Sequence, residues 1–398
     1  MSISVGISTS YKALVFQEDI YPLRISGDIL QAYWIVNYLK ESKNLEFKEI
    51  DKNNDINHFF YLPYLGYMDK DMNFGFNPNF FDFSKYGVFT SSSFFSRIFS
   101  YVPYFERFYS FYKRRKFLKD KGRFLKENLK LMGLKYIIFN SNKEKEEFKK
   151  FLKDLEIEIE VKNLYVIYNP LDYQEIDYLI KELEFSVFDK MRKDYGLPLN
   201  YGIFLGRFDR IKNVDRFIKK YISKEVNKHI PLVIAGKIMD YDEEYYRKMK
   251  KIIHNQKNIF ILNIEELKER YLRDFINFFR KEFSFGKRKY LLERKIVLEL
   301  TKASSFLVMP SWVESFGFTV LEALYLNKPV IVTKNSPYRE ILPEFIGKNI
   351  KIIDPLIMRL DADLFVFEDF ENSSNLIKER FAIEKIALKY MEVWEKHG

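Results

Sequence analysis

The chain has 398 residues, no cysteine, four histidines and a formal charge of +10, with 47% apolar and 31% charged residues. That length suits two domains with full cores, and the composition is that of a folded chain rather than a disordered one. Without thiols, disulfides, thiolate metal sites and a cysteine nucleophile are excluded, and the dispersed His58, His229, His254 and His397 do not suit a histidine metal cage. The positive excess points to an anionic partner: a nucleotide, a nucleic acid or a membrane surface. The N-terminus lacks the basic head and cleavage site of a signal peptide, and no apolar run approaches the ~20 residues of a membrane span. A reducing cytoplasmic setting is the expectation.

In chain order, ISVGIST (3–9) reads as a buried strand and DILQAYWIVNYLKES has apolar residues at helical spacing. KYIIFN, ending at Asn140, reads as a strand followed by the helix SNKEKEEFKKFLKDL, which Ser141 is placed to cap. NLYVIYNP is a further strand. Strands alternating with helices imply parallel βαβ units. The pattern restarts after Gly196 and Pro198 with YGIFLG, PLVIAG, NIFILN, SSFLVMP and KPVIVT. Two doubly wound domains are therefore expected, 1–196 and 197–380, the second carrying a helical insertion near 265–295. A last helix within 381–398 has an apolar face. Residues 94–130 are crowded with aromatics, Arg and Lys.

The stretch PSWVESFGFTVLEALYLNKPVIVT (310–333) carries the chemistry. SSFLVMP is a strand, FTVLEALYL is a helix, and Asn327 suits its left-handed end. The turn between them lies at the carboxyl edge of a parallel sheet, where such folds bind ligands. A helix start there presents free N–H groups and partial positive charge to a phosphate, and Gly317 removes the side chain that would hold it off. Glu314 and Glu322 would repel a phosphate but accept hydroxyl donors. A nucleotide-sugar has hydroxyls on both sides of a diphosphate. GRFDRIK places Arg207 and Lys212 at the same edge, where two cations can neutralise a departing diphosphate without a metal.

On these residues the sequence resembles the GT-B glycosyltransferases of family 4. Their Glu-x7-Glu signature in a PS..E.FG....EA context reads here as PSWVESFGFTVLEA, their GR....K as GRFDRIK, and their next-strand glycine as VIAG, across most of 160–355. The resemblance implies two Rossmann-like doubly wound domains facing a central cleft, an N-terminal acceptor domain to which the helix 381–398 returns, and a C-terminal nucleotide-sugar domain. It implies transfer with retention of anomeric configuration, from a UDP- or GDP-sugar to a glycan or lipid-linked acceptor, with no cofactor and no metal. Glu314 then contacts the donor sugar, Glu322 the ribose, and Arg207 and Lys212 the diphosphate. Gly27, Gly206, Gly236, Ser315, Phe316, Gly317 and Phe318 complete the donor site. The family's paired N-terminal glycines are represented only by Ser26-Gly27, and the glycine that usually follows the phosphate-binding lysine is Asn213.

Other features are weighed beside this. Asp69-Lys70-Asp71, Asp240-Tyr241-Asp242 and Asp361-Ala362-Asp363 read as surface turns, and His58 as a structural residue. The 94–130 segment is either a pair of solvated helices with inward aromatics or an interfacial surface for peripheral membrane contact. Nucleic-acid binding is a third reading that nothing else supports. The rivals to the transferase are a non-catalytic GT-B-like protein using its basic aromatic face, and a sugar-nucleotide epimerase.

Overall fold

The apolar runs pair side by side into two all-parallel sheets in the computed structural model. It describes residues 2–8, 27–40, 44–51, 53–60, 74–76, 134–154, 156–157, 163–238, 243–279, 283–368 and 373–398. The 94–130 segment and the triplets at 69–71 and 240–242 lie outside these residues. Two compact units divide the described chain, one reaching Asp172 and including Glu379–Gly398, the other comprising Tyr173–Lys378. The α/β, doubly wound fold class expected from the sequence is the one found.

In the first unit the strands are β1 (Ile3–Ser8), β2 (Leu45–Lys48), β3 (Ile56–Phe59), β4 (Phe74–Phe76), β5 (Leu134–Phe139) and β6 (Leu164–Val166), in the order β2-β1-β3-β4-β5-β6. Helix α1 is Gly27–Leu39 and α2 is Asn142–Asp154. The Ser141 hydroxyl accepts the Glu144 N–H at 3.0 Å and the Glu144 carboxylate takes the Asn140 N–H at 2.7 Å, so this helix start satisfies its own donors. The C-terminal helix Ile383–His397 belongs to this unit. Its Tyr390 and Trp394 are buried with Val5, Ile35, Ile56 and Tyr136. His58 lies in the same core, fully buried, 3.0 Å from the Tyr136 hydroxyl and edge-on to Phe60.

The second unit opens with α3 (Tyr173–Asp177), a π-helical turn (Tyr178–Glu182) and α4 (Phe188–Tyr195). Then follow β7 (Gly202–Leu205), α5 (Val214–Ile222), β8 (Leu232–Gly236), α6 (Glu243–Ile253), β9 (Ile259–Asn263), α7 (Ile264–Phe279) and α8 (Phe285–Ala303). The last part is β10 (Phe306–Met309), α9 (Phe318–Tyr325), β11 (Val330–Thr333) and β12 (Ile350–Ile353). The order β12-β11-β10-β7-β8-β9 makes β7 and β10 neighbours, at the point where winding reverses. Ligands of open α/β sheets bind outside the carboxyl ends of the strands at this switch.

The second unit begins at Tyr173, ahead of the restart near residue 197, because α3 and α4 are tied to α8. The buried Lys295 ammonium donates to the Leu179 and Leu183 carbonyls at 2.5 and 3.2 Å, and Glu299 accepts the Val187 and Phe188 N–H groups at the start of α4. In its described residues the 265–295 segment is helical. It is α7 and the first half of α8, which together carry the chain from the edge strand β9 back to β10 in mid-sheet. A parallel crossover of that span requires a long helical connection.

Candidate functional site

The chain leaves β7 through Gly206 and Arg207. Gly236, at the end of β8, comes so close that a Cβ there would lie 1.8 Å from the Gly206 carbonyl oxygen, so glycine is needed for the two strand ends to approach. Arg207 is half exposed and paired at 3.2 Å with Asp209, which is buried. Asp209 also accepts the Lys212 N–H at 3.1 Å, capping the 3₁₀ turn Arg210–Lys212. One carboxylate thus holds the Arg207 side chain and the Lys212 backbone at the sheet edge. The sequence signal was an acid two residues after Arg207 and three before Lys212, in N-cap position for the turn.

Asn213 follows with φ of 56°. Asparagine tolerates this left-handed geometry better than most residues, and its buried amide donates to the Pro310 and Pro355 carbonyls at 3.2 and 3.0 Å. It holds a left-handed backbone and also joins the loops after β7, β10 and β12.

From β10 the chain turns through Ser311 into the acidic motif. The Lys212 ammonium donates to Glu314 Oε2 at 2.8 Å, with both side chains largely buried, and the Ser311 hydroxyl donates to the same oxygen at 3.2 Å. Residues 102 apart in sequence thus meet outside the switch point. Ser315, Gly317 and Phe318 are half-buried, and the buried Phe316 ring stands edge-on to that of Phe318 at 6.2 Å. Gly317, with φ of 87°, is the residue before α9, and a Cβ on it would lie 2.9 Å from the Tyr338 hydroxyl.

Tyr338 shapes this turn and was not singled out from the sequence. Its buried hydroxyl sits against the Phe316 carbonyl and donates to the Gly317 carbonyl at 2.8 Å. The described peptide bonds are trans, and in a trans peptide C=O and N–H point in opposite directions. The N–H groups of Gly317 and Phe318 are therefore aimed away from Tyr338. Burial and the neighbouring Glu314 push the Tyr338 hydroxyl well above its usual pKa, so it stays a donor.

Glu322 stands apart from Glu314. It lies on α9, 2% exposed, with Oε1 2.6 Å from Nη1 of Arg294, itself 4% exposed. Arg294 reaches through Nε to Glu175 at 2.8 Å, and the Tyr290 hydroxyl donates to Glu175 at 2.6 Å. Burial opposes the Arg294 charge, but Glu322 and Glu175 overcome it and hold the guanidinium firmly protonated. Beside this chain Lys237 bridges Glu265 and Glu293, and Lys268 bridges the same two carboxylates. Burial would raise the Glu265 carboxyl, but these two ammonium groups outweigh it and keep it low. The clue in the sequence was LLERKIVLEL, where three consecutive charges interrupt an apolar run.

The remaining expected positions lie elsewhere. Gly27 is the first residue of α1 in the first unit. Asp361, the described acidic triplet's first member, precedes the 3₁₀ turn Ala362–Phe365 and pairs with Arg359.

Residues 289–350, from α8 to β12, match the family model for glycosyl transferases group 1. No curated protein matches the chain in sequence. Among solved structures, the complex of Anabaena HepE with UDP and glucose superposes with a TM-score of 0.58 at 12% identity, covering 100% of each chain. A glycosyltransferase from Rickettsia africae gives 0.53 at 14% identity, over 100% of this chain and 98% of that one. Sucrose-phosphate synthase from Thermosynechococcus elongatus gives 0.51 at 13%, over 94% and 81%. The chain thus has the fold of GT-B glycosyltransferases, with a group 1 segment containing both glutamates.

Proposed function

We propose that this protein is a retaining glycosyltransferase of the family 4 type, moving a sugar from a UDP- or GDP-sugar to a glycan or lipid-linked acceptor. One observation carries the reading: Lys212 and Glu314 meet at 2.8 Å outside adjacent switch-point strands, beside a left-handed glycine that opens a helix. A cation, an acid and outward N–H groups suit the diphosphate and the sugar of one donor.

In this mechanism the diphosphate takes Lys212 from Glu314, and Arg207 and the N–H groups before α9 share its charge. Glu314 is released to the donor sugar's hydroxyls, and Glu322 receives those of the ribose. The acceptor hydroxyl attacks on the leaving group's face. Its oxygen bonds to the anomeric carbon as the bond to the diphosphate breaks, and its proton passes to a diphosphate oxygen. Glu314 positions the sugar and forms no ester. The two cations supply the charge neutralisation, so a metal is not required. The proposal includes a cytoplasmic site of action, with peripheral membrane contact resting on the 94–130 sequence alone. Among the described residues no helix is long and apolar enough to cross a membrane.

The test is a thermal-shift screen of UDP, GDP, ADP and their sugars. A ligand at a hundred times its Kd stabilises by about 2.7 kcal/mol, or roughly 5–10 °C for a unit of this size. No shift with any nucleotide would sink the donor assignment. Glu322→Ala is expected to weaken donor binding, and Glu314→Ala to slow transfer with KM little changed. Negligible effects from both would leave the two glutamates with a structural role only.

A further inference from the structure

Glu322 and Glu314 differ in how they are held. Glu314 is paired with Lys212, a group the diphosphate can claim. Glu322 is paired with Arg294, whose guanidinium is anchored at its other side by Glu175, which the Tyr290 hydroxyl fixes in turn. Those four side chains come from three helices: Glu175 from α3, Tyr290 and Arg294 from α8, Glu322 from α9. A carboxylate in water rotates about its last bond. Glu322, with Oε1 2.6 Å from Nη1 of the buried Arg294 guanidinium, has one oxygen held by an ion pair before any ligand arrives.

Two carboxylates face one guanidinium here, so the cluster keeps acceptor capacity and repels phosphate. An ionised carboxylate offers about four lone-pair sites, and Arg294 engages one oxygen of Glu322. Neutral hydroxyl donors suit what remains, and a vicinal diol presents two at once.

We propose that Arg294 is a positioning residue for the donor nucleotide: it holds Glu322 in place so that the carboxylate discriminates a ribose diol from a sugar lacking it. This rests on the proposed donor site. The substitution that isolates it is Arg294→Lys. A lysine keeps the charge but has one nitrogen, which does not span Glu175 and Glu322 as Nε and Nη1 do.

The experiment is calorimetric titration of the full-length chain with UDP or GDP, whichever the wild type binds, and with its 2′,3′-dideoxy analogue. The wild type is expected to prefer the ribonucleotide by about tenfold or more, the scale of a lost hydrogen bond to a charged group. In Arg294→Lys the preference should fall to about twofold, through weaker ribonucleotide binding with the dideoxy form little affected. Tyr290→Phe, which removes one hydroxyl from the far end of the chain, should lower the preference by about half and serves where Arg294→Lys does not fold. Equal losses for both nucleotides would reduce Arg294 to a structural role and overturn the inference. So would a wild-type preference retained in whichever variant folds. A wild type that binds both forms equally refutes the ribose role of Glu322 and the inference with it. A wild type that binds neither nucleotide refutes the donor site itself.

Discussion

Replacing Asn213 by glycine restores the residue usual in the resembled family, yet it should destabilise this protein. The buried amide donates to the Pro310 and Pro355 carbonyls at 3.2 and 3.0 Å. Each such bond contributes about 0.5–1.5 kcal/mol. Glycine keeps the φ of 56° at no steric cost but adds freedom to the unfolded chain. The expected loss is about 2 kcal/mol, or roughly 4–8 °C in the unfolding of the second unit. Asn213→Ala loses the same bonds and also forces an ordinary Cβ into the left-handed region, which costs about 1–2 kcal/mol. Calorimetric melting of the full chain measures both. The order wild type, then glycine, then alanine is required. A glycine variant as stable as wild type would mean the amide bridges nothing. An alanine variant no worse than glycine would mean the backbone is not left-handed.

Two further outcomes follow from single groups. Tyr338→Phe removes only the hydroxyl that turns the Phe316 and Gly317 carbonyls inward; affinity for the nucleoside diphosphate that the wild type binds, UDP or GDP, should fall about five- to tenfold while affinity for its nucleoside holds, and equal losses would refute the turn's role in phosphate binding. His397 lies 3.0 Å from the Tyr165 hydroxyl, and burial, then Lys396 and Lys135, lower its pKa. The unfolded chain therefore takes up its proton near pH ~6.5, where the folded one does not. Stability on this account rises as pH increases through that window and levels off above it. His397→Phe should flatten the dependence of melting temperature between about pH 5 and about pH 7.5, and an unchanged slope would refute the assignment.

The second sheet was legible because β7, β8, β10 and β11 are buried along their whole length and all five runs read as apolar. YGIFLG, PLVIAG, NIFILN, SSFLVMP and KPVIVT contain β7, β8, β9, β10 and β11 in that order. β12 was not read: IKII places a lysine inside a four-residue strand, and so short a run has no period to detect. At the site, residue types and local spacing exposed Glu314, Gly317 and the lysine of GRFDRIK. What sequence did not show was pairing. Arg294 and Glu175 lie 119 residues apart, and Tyr338 reaches Gly317 across an intervening strand. Such contacts depend on which strands the sheet makes neighbours, and spacing along the chain does not encode that.

Glu293, Arg294 and Lys295 occupy three successive places on α8, and on a helix successive side chains splay by about 100°. Each therefore meets a different neighbour: the lysines beside β8 and α7, the acids on α9 and α3, and the carbonyls before α4. The helix behaves as a keyed spindle. A slip of one residue would turn every key out of its slot together, stranding three buried charges at once. Gradual sliding or rolling is closed to it.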